Sequence, residues 1–416
     1  MLNKDGIREL AYLVRVDEVL PMNADRRECA RIGGWNCVVG KGEFKAGDIG
    51  VYFEIDSKLP EVAPFNEMEF LKSKHYRIKT QKIRGVYSQG LLMPISAFGW
   101  TVDSAQFCGG AEFVVDEKGN QHFVEDESRF LTARLGVTYA VAEDNVRKSG
   151  KLGKSGKFLS AMAHHPRFAK SRVGRWLAKR EWGRKLIAFF FYSKKKQTGT
   201  DFPSHFPYIT VSDEERIENC PYMLQYKEPL IATEKLDGTS TLFVLERKKR
   251  GKFEFYVVSR HVRQLSSDQK TYHESNIYWE MALKYDVENH LKQYLLDNPE
   301  LDYVGLQGES VGNVQGNPLK LSTNEFYGYN FIRSDVGRIS SLKGKEILEG
   351  WGMKWVPILD TNWINPDTME EMKTAATAKS VVNPSVLREG VVYRSEKDNT
   401  ISFKNVSPEY LLKHGQ

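Results

Sequence analysis

The stretch Leu230 to Glu246, LIATEKLDGTSTLFVLE, admits few conformations. Its apolar approach reads as a strand, Asp237-Gly238 as a turn, and the alternation from Thr239 to Glu246 as a second strand. Lys235 then stands at a strand end beside Glu234 and Asp237, where an amine can face a ligand. A free lysine titrates at about 10.4, so at neutral pH only roughly one in a few thousand is the neutral amine. A covalent lysine nucleophile must therefore be desolvated, or set beside cations that disfavour its protonated form. Taken alone, Lys235-Leu236-Asp237-Gly238 is also an ordinary surface hairpin corner, because Asp-Gly is a common turn pair.

Further segments follow in a set order: Ser259-Arg260-His261, Gln307-Gly308-Glu309, Phe326 to Phe331, Arg388-Glu389-Gly390-Val391-Val392 and Ser402-Phe403-Lys404. With Glu234 to Gly238 at their head, they resemble the ATP-dependent RNA ligases, within the covalent nucleotidyltransferases that include DNA ligases and capping enzymes. The resemblance is closer to those RNA ligases that carry an OB module before the adenylyltransferase domain. It covers roughly residues 7 to 105 and 202 to 414.

The resemblance implies an α+β protein, a small OB-like β-barrel followed by an ATP-grasp-like nucleotidyltransferase domain on antiparallel sheets. It implies ATP and a divalent metal, Mg2+ or Mn2+, and an RNA partner, as a nicked duplex or broken ends. Lys235 would form lysyl-AMP and Lys404 would contact the α-phosphate. Glu389, with Glu309, would support a hydrated metal. Glu234, Leu236, Asp237, Gly238, Arg260, Glu309, Tyr329 and Val392 would line the nucleotide site. More distant relatives stack adenine on an aromatic residue two positions before the equivalent of Glu309. Gln307 stands there in this chain, and Phe326, Tyr329 and Phe331 are the alternatives. Some relatives have Lys-x-Lys where this chain has Ser402-Phe403-Lys404.

Residues 1–105 read as short strands between turns. Val51, Phe53 and Ile55 alternate with Tyr52 and Glu54, and Gly33-Gly34 and Ala46-Gly47-Asp48 are turn signals, the pattern of a small β-barrel. Arg77, Lys79, Lys82 and Arg84 alternate toward one strand face with Tyr76 and Tyr87 beside them, as an RNA-tracking surface would require. A charge-protected edge strand would show the same pattern.

Residues 106–200 hold a hairpin across Glu117 to Asn120 and then a basic segment. Between Arg147 and Lys196 there are 16 Lys and Arg against the single acid Glu181, in a chain of net charge +6, so the positive charge is local. The segment suits RNA phosphates, an anionic membrane surface or a solvated linker with a docking helix over Pro166 to Tyr192. Gly153-Lys154-Ser155 lacks the Gly that a phosphate loop needs at position 148, where Lys stands.

In the catalytic region, 201–416, the turn Arg247 to Lys252 joins two strands. Pairing Glu246 with Phe253 brings Arg260 opposite Thr239. Glycine at 308 is expected to leave room for close ligand approach. Pairing Arg394 with Asn399 sets Glu389 opposite Lys404 on one face. Asp286 is expected to start a helix whose core stripe is Val287, Leu291, Tyr294 and Leu295.

Four separated cysteines, Cys29, Cys37, Cys108 and Cys220, form no Cys-x-x-Cys pair, which argues against a zinc site or disulfide framework and fits an intracellular, cytoplasmic or nuclear, setting. No signal peptide or membrane span is expected, and a monomer is. The other function classes are a DNA ligase or GTP-using capping enzyme, and a non-catalytic RNA-binding protein. The short stretch after Lys404 argues against the first pair, and the presence of Lys235, Glu309, Glu389 and Lys404 against the last.

Overall fold

The structure, a computed structural model, describes residues 1–101, 113–115, 121–124, 126–140, 199–203, 205–209, 214–260, 262–264 and 276–415. The basic segment 147–196, with its expected helix, His261 and Cys108 lie outside them. Met1–Ala140 and Asp201–Gln416 form one compact unit and Val141–Thr200 another; the first is described here.

Its N-terminal part is built on two three-stranded antiparallel sheets. Ile49–Phe53 lies between Ala11–Arg15 and Leu91–Pro94, and Arg27–Ile32 lies between Glu18–Pro21 and Trp35–Gly40. The alternation has its expected consequence: Val51 and Phe53 pack in one core cluster with Leu13 and Met93, and Tyr52 in another with Ala30, Cys37 and Leu92. Leu131 and Val137 join the first cluster.

Gly34 does more than turn the chain. A Cβ there would lie 2.5 Å from Cα of Glu218, so only glycine lets this turn meet the C-terminal part so closely. Gly34 N donates to Glu218 O at 2.8 Å, Lys373 Nζ donates to Gly34 O at 2.8 Å, and Trp35 Nε1 donates to Asn219 Oδ1 at 2.6 Å.

The C-terminal part holds two sheets. The smaller has the order Glu215–Arg216, Ser402–Val406, Gly390–Arg394, Leu230–Lys235, Ile358–Trp363. The larger runs through Val262–Gln264, Phe253–Ser259, Thr239–Arg247, Tyr303–Val311, Glu325–Arg333 and Gly337–Arg338. Leu236-Asp237-Gly238 carries the chain from one sheet to the other, so Lys235 ends its strand where the sheets meet.

The helix Val287–Asp297 follows Asp286, and Val287, Leu291 and Leu295 are fully buried. Tyr294 packs edge-on against Phe331 at 5.0 Å. Among the described residues no helix is long and apolar enough to cross a membrane, and Cys29, Cys37 and Cys220 are buried free thiols.

Both registers expected from sequence shift. Arg247, not Glu246, pairs with Phe253, and Ser259 pairs with Thr241. Arg260 is therefore one step beyond the paired strand, exposed and in the left-handed region at φ 49°. In the last hairpin Arg394 pairs with Ser402, and Val392, not Glu389, pairs with Lys404. The cause is a longer connection. Ser395 Oγ accepts from the amides of Lys397 and Asp398, and Asp398 Oδ1 accepts from Thr400 N, so 395–401 coils on itself before the strand resumes.

The strand expected to carry Arg77, Lys79, Lys82 and Arg84 is interrupted. Tyr76 is buried with φ 59°, and Arg84 and Gly85, both at positive φ, form the turn between Gln81–Ile83 and Val86–Ser88. Lys82 and Arg84 are thus exposed on a short hairpin, with Lys82 Nζ 4.7 Å from the Tyr87 ring centre, while Arg77 and Lys79 are half-buried before it.

Candidate active site

Lys235 is the last residue of a strand flanked by Gly390–Arg394 on one side and Ile358–Trp363 on the other. The loop after it is fixed at each position. Leu236 is buried in the large core cluster, and Asp237 Oδ2 accepts a 2.5 Å hydrogen bond from the Tyr410 hydroxyl. Gly238 lies so close to the next strand that a Cβ would stand 2.4 Å from Ser310 O. Glu234 faces away from the amine: its buried carboxylate accepts from Val381 N at 2.8 Å, and burial pushes its proton affinity up.

The amine of Lys235 donates to Glu389 Oε2 at 2.8 Å, with side chains 23% and 12% exposed. Burial raises the Glu389 carboxyl to about 7 and nearby Asp237 adds to this, while Lys235 and Lys404 pull it down. Two carboxylates acting on each other favour a cation nearby. Among the described residues no three His, Cys, Asp or Glu side chains converge as a metal cage. The donor set therefore suits a metal that keeps most of its water, as Mg2+ does.

Val392 stands beside Lys404 in register and is nearly buried. Lys404 has a second neighbour that was not expected from sequence: the parallel strand Glu215–Arg216 sets Arg216 against it. Arg216 is 6% exposed, its Nη2 is 3.8 Å from Asp56 Oδ2, and its Nε and Nη1 have no hydrogen-bond partner. Buried guanidinium donors normally find acceptors. A bound phosphate would supply them.

Glu309 is half-buried and pairs in register with Ser240 and Tyr327. Tyr329 is within 3.4 Å of the Ser240 hydroxyl, and the Arg394 guanidinium lies 5.5 Å from its ring centre. Arg394 is buried, donates to Glu214 Oε1 at 2.8 Å, and leaves Nε without a partner. Ser402 Oγ donates to the other Glu214 oxygen at 2.6 Å. Burial pushes the Glu214 carboxyl up, but Arg394 and Ser402 hold it below its usual range.

Phe326 and Phe331 are fully buried in the large core and do not offer a stacking face. Gly308 has a packing reason, because a Cβ there would sit 2.3 Å from the Phe326 ring. Gln307 accepts from Asn330 Nδ2 at 2.9 Å, and Asn330 Oδ1 is buried without a partner. The structure thus brings together Lys235, Asp237, Glu389, Val392 and Lys404, adds Arg216 and Tyr410, and leaves Arg260 exposed. No local spacing in the sequence marks Arg216.

The raised Glu389 carboxyl has a measurable consequence. The folded protein holds this proton up to about pH 7, the unfolded chain only to about 4.3. Stability therefore falls as pH rises through that window, by at most about 4 kcal/mol. A cation beside ionised Glu389 offsets the loss. Adding Mg2+ or Mn2+ should raise Tm by a few degrees more at pH 8 than at pH 6; equal shifts, measured by thermal unfolding, would count against metal at Glu389.

An OB-fold domain model matches residues 10–95, and the RNA ligase family model matches residues 228–413. Solved structures of Naegleria gruberi RNA ligase are similar over almost the whole length: with PPi, as a variant with AMP and Mn, and as a variant with ATP and Mn. Each has 26% identity and a TM-score of 0.67, covering 98% of this chain and 99% of the other. No curated protein matches the chain. The order of domains, the two antiparallel sheets and the lysine between them agree with these matches: the chain carries an N-terminal OB-fold domain followed by a C-terminal RNA ligase domain.

Proposed function

We propose that this RNA ligase uses ATP to join RNA 3′-hydroxyl and 5′-phosphate ends, at nicks or breaks, in three displacements at one site. In the first, Lys235 Nζ attacks the α-phosphate of ATP, the Nζ–P bond forms and pyrophosphate leaves. In the second, a 5′-phosphate oxygen of RNA takes the AMP and frees Lys235. In the third, the 3′-hydroxyl attacks that 5′-phosphorus and AMP departs. The observation that carries this reading is the Lys235 amine held 2.8 Å from Glu389 at the junction of the two sheets.

The cations have separate tasks. Lys404 and Arg216, side by side on neighbouring strands, are fixed charges for phosphates whose negative charge grows during transfer. A divalent metal at Glu389, with Glu309 on the adjoining sheet, would supply positive charge that disfavours the lysine ammonium and neutralises phosphate. Val392 and Tyr329 offer surfaces for the base. Glu234 can serve through its backbone, since its carboxylate holds Val381. Arg260, exposed beyond the end of its strand, and Lys82 and Arg84, on the exposed hairpin, could meet RNA phosphates; Arg77 and Lys79 extend that surface less openly.

Incubation with α-labelled ATP or GTP and divalent metal, followed by a denaturing gel, tests the proposal. Label should remain on the protein from ATP and not from GTP. Label from GTP alone would assign capping chemistry, and none from either would remove Lys235 as a nucleophile.

A further inference from the structure

The reaction as described gives no task to the last helix, Pro408–His414, although it reaches the nucleophile loop. Ser407 starts it. Its N donates to Glu389 O at 2.8 Å, and its Oγ accepts from Tyr410 N at 3.3 Å. One turn on, the Tyr410 hydroxyl donates to Asp237 Oδ2 at 2.5 Å. A few residues therefore hold both the backbone of Glu389 and the carboxylate of Asp237.

The tyrosine has little freedom to do anything else. It is 2% exposed, and the His414 ring stacks on it at 4.0 Å and 15°. Leu411, the next residue, anchors the helix in a cluster with Ile55 of the OB-fold domain and Val406. A phenol has one proton to donate, and here it goes to the carboxylate two residues after Lys235.

We propose that Tyr410 is a positioning residue for nucleotidyl transfer: it fixes the Asp237 carboxylate beside Lys235, so that the C-terminal helix completes the active-site loop. A carboxylate with no fixed donor can rotate or turn toward the lysine ammonium, and a misplacement of about 1 Å near reacting groups can cost about 100-fold in rate. This proposal rests on Lys235 being the nucleophile.

The test is a double-mutant cycle on the full-length chain, reading lysyl-AMP formation with labelled ATP. Tyr410→Phe keeps the ring, its stack on His414 and its burial, and loses only the donor. Its maximal rate should fall about 10- to 100-fold while the ATP concentration at half-maximal rate changes less than about threefold. Asp237→Ala should also be slow, and adding Tyr410→Phe to it should slow the reaction less than twofold further, because both remove the same contact.

A wild-type maximal rate in Tyr410→Phe overturns the proposal, as do independent, multiplying effects of the two substitutions. A helix with a merely structural role would instead lower Tm and the active fraction, leaving the rate per active molecule unchanged; that result also overturns it. Failure of the underlying reading is distinguishable, since Lys235→Ala would then still take label.

Discussion

A Lys235→Ala protein incubated with α-labelled ATP and divalent metal should carry no covalent label, against stoichiometric labelling of the unaltered chain. The loss is complete, not graded, because the nucleophile itself is removed: Lys235 ends its strand with Nζ on Glu389. Lys235→Arg should fail equally, since a guanidinium stays protonated and offers no neutral nitrogen at this reach. Both variants should nonetheless seal an RNA supplied with a 5′-adenylate, because the last displacement needs the site but not the lysyl adduct. Glu389 loses its partner in the alanine variant, and a carboxyl already raised to about 7 then takes a proton, so the fold should survive. Lysyl-AMP at normal levels in Lys235→Ala would assign the nucleophile elsewhere.

Lys404→Ala and Glu389→Ala are each expected to lower the rate of lysyl-AMP formation by about 100- to 1,000-fold, on the order of 3 to 4 kcal/mol of lost electrostatic stabilisation. Lys404 is 5% exposed on a central strand, so its charge acts where water screens little. Arg216 is its neighbour in register and has two donors unfilled. Arg216→Ala should therefore also slow the reaction, and Lys404→Ala with Arg216→Ala should cost less than the two effects multiplied, since both cations act on one phosphate chain. Circular dichroism and thermal unfolding establish that each variant is folded. A folded Lys404→Ala with an unchanged rate would remove that lysine from the phosphate site.

Much of the site was legible because it is local. The apolar run before Lys235, the Asp-Gly pair and the alternation after it required strand, turn and strand, and that is how the chain passes between its sheets. The spacing of Val287, Leu291 and Leu295 likewise fixed which side of their helix would be buried, because 3.6 residues per turn leaves little choice.

Register and long-range pairing were settled only by tertiary structure. A hairpin's register depends on the conformation of its connection, and residues 395–401 are tied up by their own side chains, which moves Lys404 from Glu389 to Val392. Glu389 still reaches the amine because it lies just before the Gly390–Arg394 strand, outside the alternation that would have set its direction. Arg216 joins Lys404 through a two-residue parallel strand far away in sequence, and Tyr410 reaches Asp237 across 173 positions. No periodicity within either segment encodes such contacts. They follow from which surfaces the whole chain can bury together, and burial in turn gives Glu389 its raised proton affinity and Arg216 its unfilled donors.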